Sequence, residues 1–152
     1  MRLYEFTRTI LFHGSGYLNK TLQPGFNYTG ELVQWDKTES NKFLYLSRDE
    51  NEAVLNGLCG ALSINHDIDQ FSFSDDDNIL KITTPDSSLT ADMVYSSKVW
   101  LYRILKTKDI KIVGNDYNGS TTEYKTDKVI NYIDVVLVKD PTCGKELKII
   151  YK

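Results

Sequence analysis

The chain predicts an α+β fold: a compact mixed or antiparallel sheet with a few short helices, in a single domain spanning residues 1–152. Three observations lead there. Most apolar stretches are short, rich in β-branched and aromatic residues, and alternate with polar ones, the period of a half-buried strand. One stretch, "SRDENEAVLNGLCGAL", instead repeats its apolar residues at helical spacing. The order is strand, loop, strand, helix and then many strands, rather than repeated βαβ units. With 41% hydrophobic residues the chain can fill a core, which excludes a disordered class.

The elements follow in order. "RLYEFTRTILFHG" alternates and opens the sheet. "NKTLQPGFNYTG" carries turn chemistry, with a type II turn expected at Pro24-Gly25. "ELVQWDKTESN" reads as a polar loop around Trp35, and "KFLYL" as a short apolar strand. Ser47, with Glu50 three residues on, makes a capping box and predicts Ser47 as the N-cap of the helix. Val54, Leu55, Leu58 and Leu62 give that helix one buried face, while Gly57 and Gly60 weaken it but allow close approach to a sheet. "DQFSFSD" and "ILKITT" are two strands about the acidic turn "DDDN", which lacks the spaced ligands of a calcium loop. "SSLTADMVYSS" predicts one short helix, "KVWLYRIL" and "DIKIVG" strands, and "NDYNGSTTE" a loop around Tyr117. "YKTDKVINYIDVVLVK" holds at least one strand, and "ELKIIYK" closes the chain.

A net charge of -3 provides no general attraction to nucleic acid or anionic membrane. Two cysteines, Cys59 and Cys143, are too few for a disulfide framework, and no Cys/His spacing suggests zinc. "MRLYEFTRTILF" is charged throughout and lacks the apolar core of a signal peptide, so a soluble, cytoplasmic protein is expected. Abundant Asn, Asp, Lys, Ile and Tyr fit an AT-rich genome. His66 has no partner motif.

Three short segments carry chemistry. In "TILFHGSG" a strand ends on His13 and Gly14. Glycine lets a flat ligand reach the backbone, whose N–H and C=O can pair with a carboxamide, and the imidazole can bond a sugar hydroxyl. In "FLYLSRDENEA", Tyr45 stands just ahead of the helix, where its ring can stack on a flat ligand. In "GSTTEYKTDKVINYIDVVLV", Glu123 opens a strand after a Gly-Ser-Thr-Thr loop, and a carboxylate there can stabilise positive charge at an anomeric carbon.

In this order the segments resemble the diphtheria-toxin-like and poly(ADP-ribose)-polymerase-like ADP-ribosyltransferases, the group with a His-Tyr-Glu signature. "LFHGSGYLNKTLQPGF" is similar to the family's first motif, "FLYLSRDENEA" to its second and "TTEYKTDKVINYIDVVLV" to its third, so the likeness spans residues 9–138. It implies an ADP-ribosyltransferase-like split sheet and NAD as co-substrate, with no metal. The reaction implied is transfer of ADP-ribose to a macromolecular acceptor with release of nicotinamide, or NAD hydrolysis. Gly14 and Ser15 would meet the carboxamide, Tyr45 the nicotinamide ring and His13 a hydroxyl of the adenosine ribose. Glu123 would hold the nicotinamide ribose, Trp35 would cover bound NAD and Tyr117 would recognise the acceptor. The mild acidity favours a protein over a nucleic acid as that acceptor.

The chain departs from the family at two points. The helix after Tyr45 carries Ala53, Val54 and Asn56 where many polymerase-type members place a second stacking tyrosine, a role left to Trp35, Tyr28 or Phe26. Thr121 stands where arginine-specific toxins carry a second glutamate. Two other readings stay open: a non-catalytic module that binds NAD or ADP-ribose, and a small interaction or inhibitor protein of phage or mobile-element type.

Overall fold

The computed structural model describes residues 9–24, 43–76, 78–112 and 123–152. Residues 1–8, the Pro24-Gly25 turn, Phe26, Tyr28, Trp35, Tyr117 and Thr121 fall wholly or partly outside the described residues. Those that are described form nine strands and two helices, an α+β fold in which one strand pair is parallel and the rest antiparallel. The strands are β1 (Ile10–Ser15), β2 (Leu44–Ser47), β3 (Ser72–Asp75), β4 (Ile79–Thr84), β5 (Trp100–Leu105), β6 (Lys111–Ile112), β7 (Glu123–Thr126), β8 (Asp134–Leu137) and β9 (Glu146–Tyr151). Helix α1 covers Glu50–His66 and α2 covers Ala91–Ser96. No helix among the described residues is long and apolar enough to cross a membrane.

Six strands form one sheet in the order β6-β7-β2-β1-β5-β8, and three form a second in the order β3-β4-β9. Residues directly opposite in antiparallel strands share a face. One face of the large sheet therefore carries Leu11, Leu46, Tyr102, Ile104 and Tyr124, which bury a core closed by Leu22 and Ile110. The other face carries Phe12, Gly14 and Leu101 and packs under α1. Val54, Leu58 and Leu62 of α1 join a second core with Leu80 and Ile82 of β4 and Val94 of α2. An exposed Arg103–Asp134 ion pair links β5 to β8 at the sheet margin, where such pairs contribute little.

The helix approaches β1 backbone to backbone. A Cβ on Gly14 would lie 1.8 Å from the Ala53 carbonyl oxygen, and one on Gly57 would lie 2.8 Å from the Gly14 carbonyl carbon. Gly57 costs the helix interior about 1 kcal/mol relative to alanine. Burying Val54, Leu58 and Leu62 contributes roughly 1.5–3 kcal/mol apiece, so the close approach wins.

The predicted N-cap is corrected by two residues. Ser47 is still extended as the last residue of β2, and its hydroxyl accepts from the Asp49 N–H at 2.9 Å, closing a turn. Asp49 is the cap: its carboxylate accepts from the N–H groups of Asn51 and Glu52 at 2.9 and 3.3 Å. A full negative charge at the positive end of the helix dipole does this better than a hydroxyl. Asp49→Ala should lower stability by about 1 kcal/mol, read as a lower urea midpoint at unchanged slope. A wild-type midpoint would remove Asp49 from the cap.

Candidate functional site

Strand order brings the three segments together: β7, β2 and β1 are consecutive in the large sheet. Glu123 lies opposite Ser47, and Ser47 opposite Phe12, so Glu123 and β1 are two strand spacings apart, about 10 Å. The β1–β2 pairing is brief. Phe12 opposite Ser47 is its one pair in register, whereas β1 stays in register with β5 from Ile10 to Ser15.

The backbone alternation of β1 fixes what faces the point where the pairing ends. Lys106 donates its N–H to the Thr9 carbonyl, so Thr9, Leu11, His13 and Ser15 direct their peptide groups to β5. The N–H and C=O of Gly14 point the other way, towards β2 and beyond the last registered pair. There the Tyr45 carbonyl is taken by a side chain: His13 Nδ1 lies 2.8 Å from the Tyr45 oxygen. Since that oxygen only accepts, Nδ1 carries the proton, and Nε2 of the neutral ring is left as an acceptor.

The faces divide the candidate residues. Tyr45 shares a face with Ser47 and Glu123, because side chains two apart on a strand lie on one side. Its ring meets Phe43 edge-on at 6.4 Å, and Lys125 Nζ sits 4.2 Å from the Phe43 centroid. His13 projects to the opposite face, where its ring lies 6.0 Å from that of Tyr102. The imidazole and the Glu123 side chain thus lie on opposite faces of the sheet.

Ser15 is buried, and its oxygen accepts from the Tyr17 N–H at 3.0 Å, so it closes a turn and keeps its proton to donate elsewhere. Trp35 and Tyr117 lie outside the described residues. Ala53 is buried with its carbonyl against Gly14, and Asn56 is exposed, so α1 brings no aromatic ring to Tyr45 from either position. Two residues that the motifs did not mark also belong here. Glu52, in the first turn of α1, faces Glu123 electrostatically, and Tyr102 stands opposite His13. Neither has a sequence signal beyond its place in a helix or an alternating strand.

Electrostatics follow from burial. Desolvation holds the His13 pKa below its ordinary 6.5, against the opposing effect of the bond to Tyr45. Desolvation pushes the Glu123 carboxyl up, and the nearby charge of Glu52 pushes it further. Desolvation pushes the half-buried Cys59 thiol of α1 up to about 12, so it is unreactive at neutral pH.

Comparison of the chain with protein-family models, with curated proteins and with solved structures gave no match.

Two outcomes follow from this geometry. The unfolded chain protonates His13 near 6.5, the folded chain only at lower pH. Its contribution to stability is therefore complete above that value and is lost as pH falls below it. Thermal melts from about pH 7.5 to 5 should show this loss in wild type and a smaller one in His13→Gln. An identical pH dependence in the variant would assign the loss to other groups.

Position 14 corrects an expectation. The sequence suggests that a bulky residue there would block a ligand and leave the fold nearly intact. With α1 backbone 1.8 Å from the Cβ position, Gly14→Val must instead push α1 off the sheet. It should lower the melting temperature sharply or prevent folding, measured by calorimetry.

Proposed function

We propose that this chain is an NAD-dependent ADP-ribosyltransferase of the His-Tyr-Glu type, with an ADP-ribosyltransferase-like split-sheet core. One observation carries the reading. Three segments that resemble the family's motifs, far apart in sequence, lie on consecutive strands around the point where β1 and β2 part.

Support comes from what each group offers. Gly14 turns one donor and one acceptor towards that point, the pattern a carboxamide requires. Tyr45 supplies a ring on the side from which Glu123 approaches, so a nicotinamide stacked there would have its ribose within reach of the carboxylate. His13 Nε2 is an acceptor suited to a ribose hydroxyl. Ser15 has a proton to give to the carboxamide oxygen. In the reaction the bond between the ribose anomeric carbon and the nicotinamide nitrogen breaks, and nicotinamide leaves with the bonding pair. Ionised Glu123 stabilises the positive charge that develops on the sugar. An acceptor nucleophile then bonds the anomeric carbon and loses its proton, with Trp35 proposed over the bound NAD and Tyr117 at the acceptor. A protein acceptor fits the net charge better than a nucleic acid; water as acceptor would make the same site an NAD glycohydrolase. Activity should rise with pH as Glu123 ionises, at a pH above the ordinary carboxylate value because its carboxyl is pushed up.

A specific observation favours a second reading, a module that binds NAD or ADP-ribose without turnover. Helix α1 presents Ala53 and Asn56 rather than a ring near Tyr45, so any stacked ligand is gripped on one face only by the described residues.

Incubation with NAD, alone and with cell lysate, separates the two readings. Wild type should release nicotinamide, and Glu123→Gln should release it about 10²–10³ times more slowly while binding NAD with similar affinity. NAD binding without release selects the second reading; neither binding nor release removes both.

A further inference from the structure

We infer that Tyr102 is a positioning residue: its phenol, together with that of Tyr132, holds the backbone from Tyr17 to Asn19 as the wall that meets the ligand on the His13 side. The inference rests on the proposed NAD site and adds residues to it.

Tyr102 is fully buried and stands opposite His13 in the β1–β5 register. Its hydroxyl accepts from the Asn19 N–H at 2.9 Å and donates to the Tyr17 carbonyl at 2.7 Å. With its proton committed, it is unsuited to acid–base chemistry. The Tyr132 hydroxyl donates to the Asn19 carbonyl at 2.9 Å, and the two tyrosine rings meet edge-on at 4.8 Å. Three residues further on, Leu22 and Ile130 exchange N–H···O bonds of 3.0 Å in both directions. The segment leaving β1 is thus tied at Tyr17, Asn19 and Leu22.

Side-chain burial does not account for this anchoring. Tyr17 and Leu18 are 40% and 48% exposed, so this part of the chain contributes little to the core. It is held by polar bonds while two large side chains remain at the surface. A backbone immobilised in this way, beside an imidazole with an acceptor nitrogen, loses little entropy when a ligand docks. The two phenols come from β5 and from the connection between β7 and β8, so they couple that wall to the strands flanking the site.

The test is Tyr102→Phe, which keeps the ring and removes both bonds, with Tyr132→Phe as the milder variant. Amide exchange at Asn19, NAD affinity by calorimetry, and the kinetics of nicotinamide release are measured on each. Tyr102→Phe should speed exchange at Asn19 and raise the KM and Kd for NAD about tenfold, with kcat within about threefold of wild type. Tyr132→Phe should move the same quantities less, and it decides the matter if the first variant does not fold. Faster exchange at Asn19 with wild-type NAD affinity overturns the inference and leaves the proposed function standing. A wild-type protein that does not bind NAD overturns both.

Discussion

The rest of the molecule depends on the contact between the backbone of α1 and the backbone of β1. Gly14 and Gly57 have no side chains, so the helix lies closer to the strand than any Cβ would permit. That approach sets the depth of the apolar face of α1, with Val54, Leu58 and Leu62 under the helix and Leu101 on the adjoining strand. It also fixes where α1 begins. The chain turns at Ser47, is capped at Asp49, and places Glu52 in the first turn above the sheet row that contains Glu123. The helix cannot be moved to accommodate a side chain at position 14 without changing the surroundings of that carboxylate.

The second constraint is the early end of the β1–β2 ladder. A sheet normally satisfies its peptide groups by pairing strand to strand. Here the pairing ends at Phe12 and Ser47, and a side chain takes the next carbonyl. The consequence is chemical as well as structural. The bond fixes the imidazole tautomer, and Gly14 directs its N–H and C=O towards β2, beyond the last registered pair. The candidate site thus consists largely of main-chain groups held in place by packing at some distance from it.

Much of the fold was legible in the sequence because its elements obey simple periods. Alternation in "ILKITT" and "KVWLYRIL" marked β4 and β5, and helical spacing marked the buried face of α1, including the glycines that let it approach the sheet. The cap was misplaced because Ser47 satisfies the local pattern equally well. Only the continuation of β2 through Ser47 shows that the helix starts after Asp49. The candidate site was legible as three separate segments. Their adjacency was not, since strand order is set by long-range pairing that no local pattern encodes.

By itself the sequence determined which residues offer hydrogen-bonding groups, aromatic rings and carboxylates, where strands alternate and where one amphipathic helix runs. These depend on side-chain chemistry and on short-range periodicity. Tertiary structure alone decided that β7, β2 and β1 are neighbours and that Gly14 is covered by a helix on one face. It also decided that His13 and Glu123 lie on opposite faces of the sheet, and that Tyr102 commits its hydroxyl to the chain after β1. The physical reason is common to all four: each depends on which distant segments share a core, and that is settled by burial and packing over the whole chain.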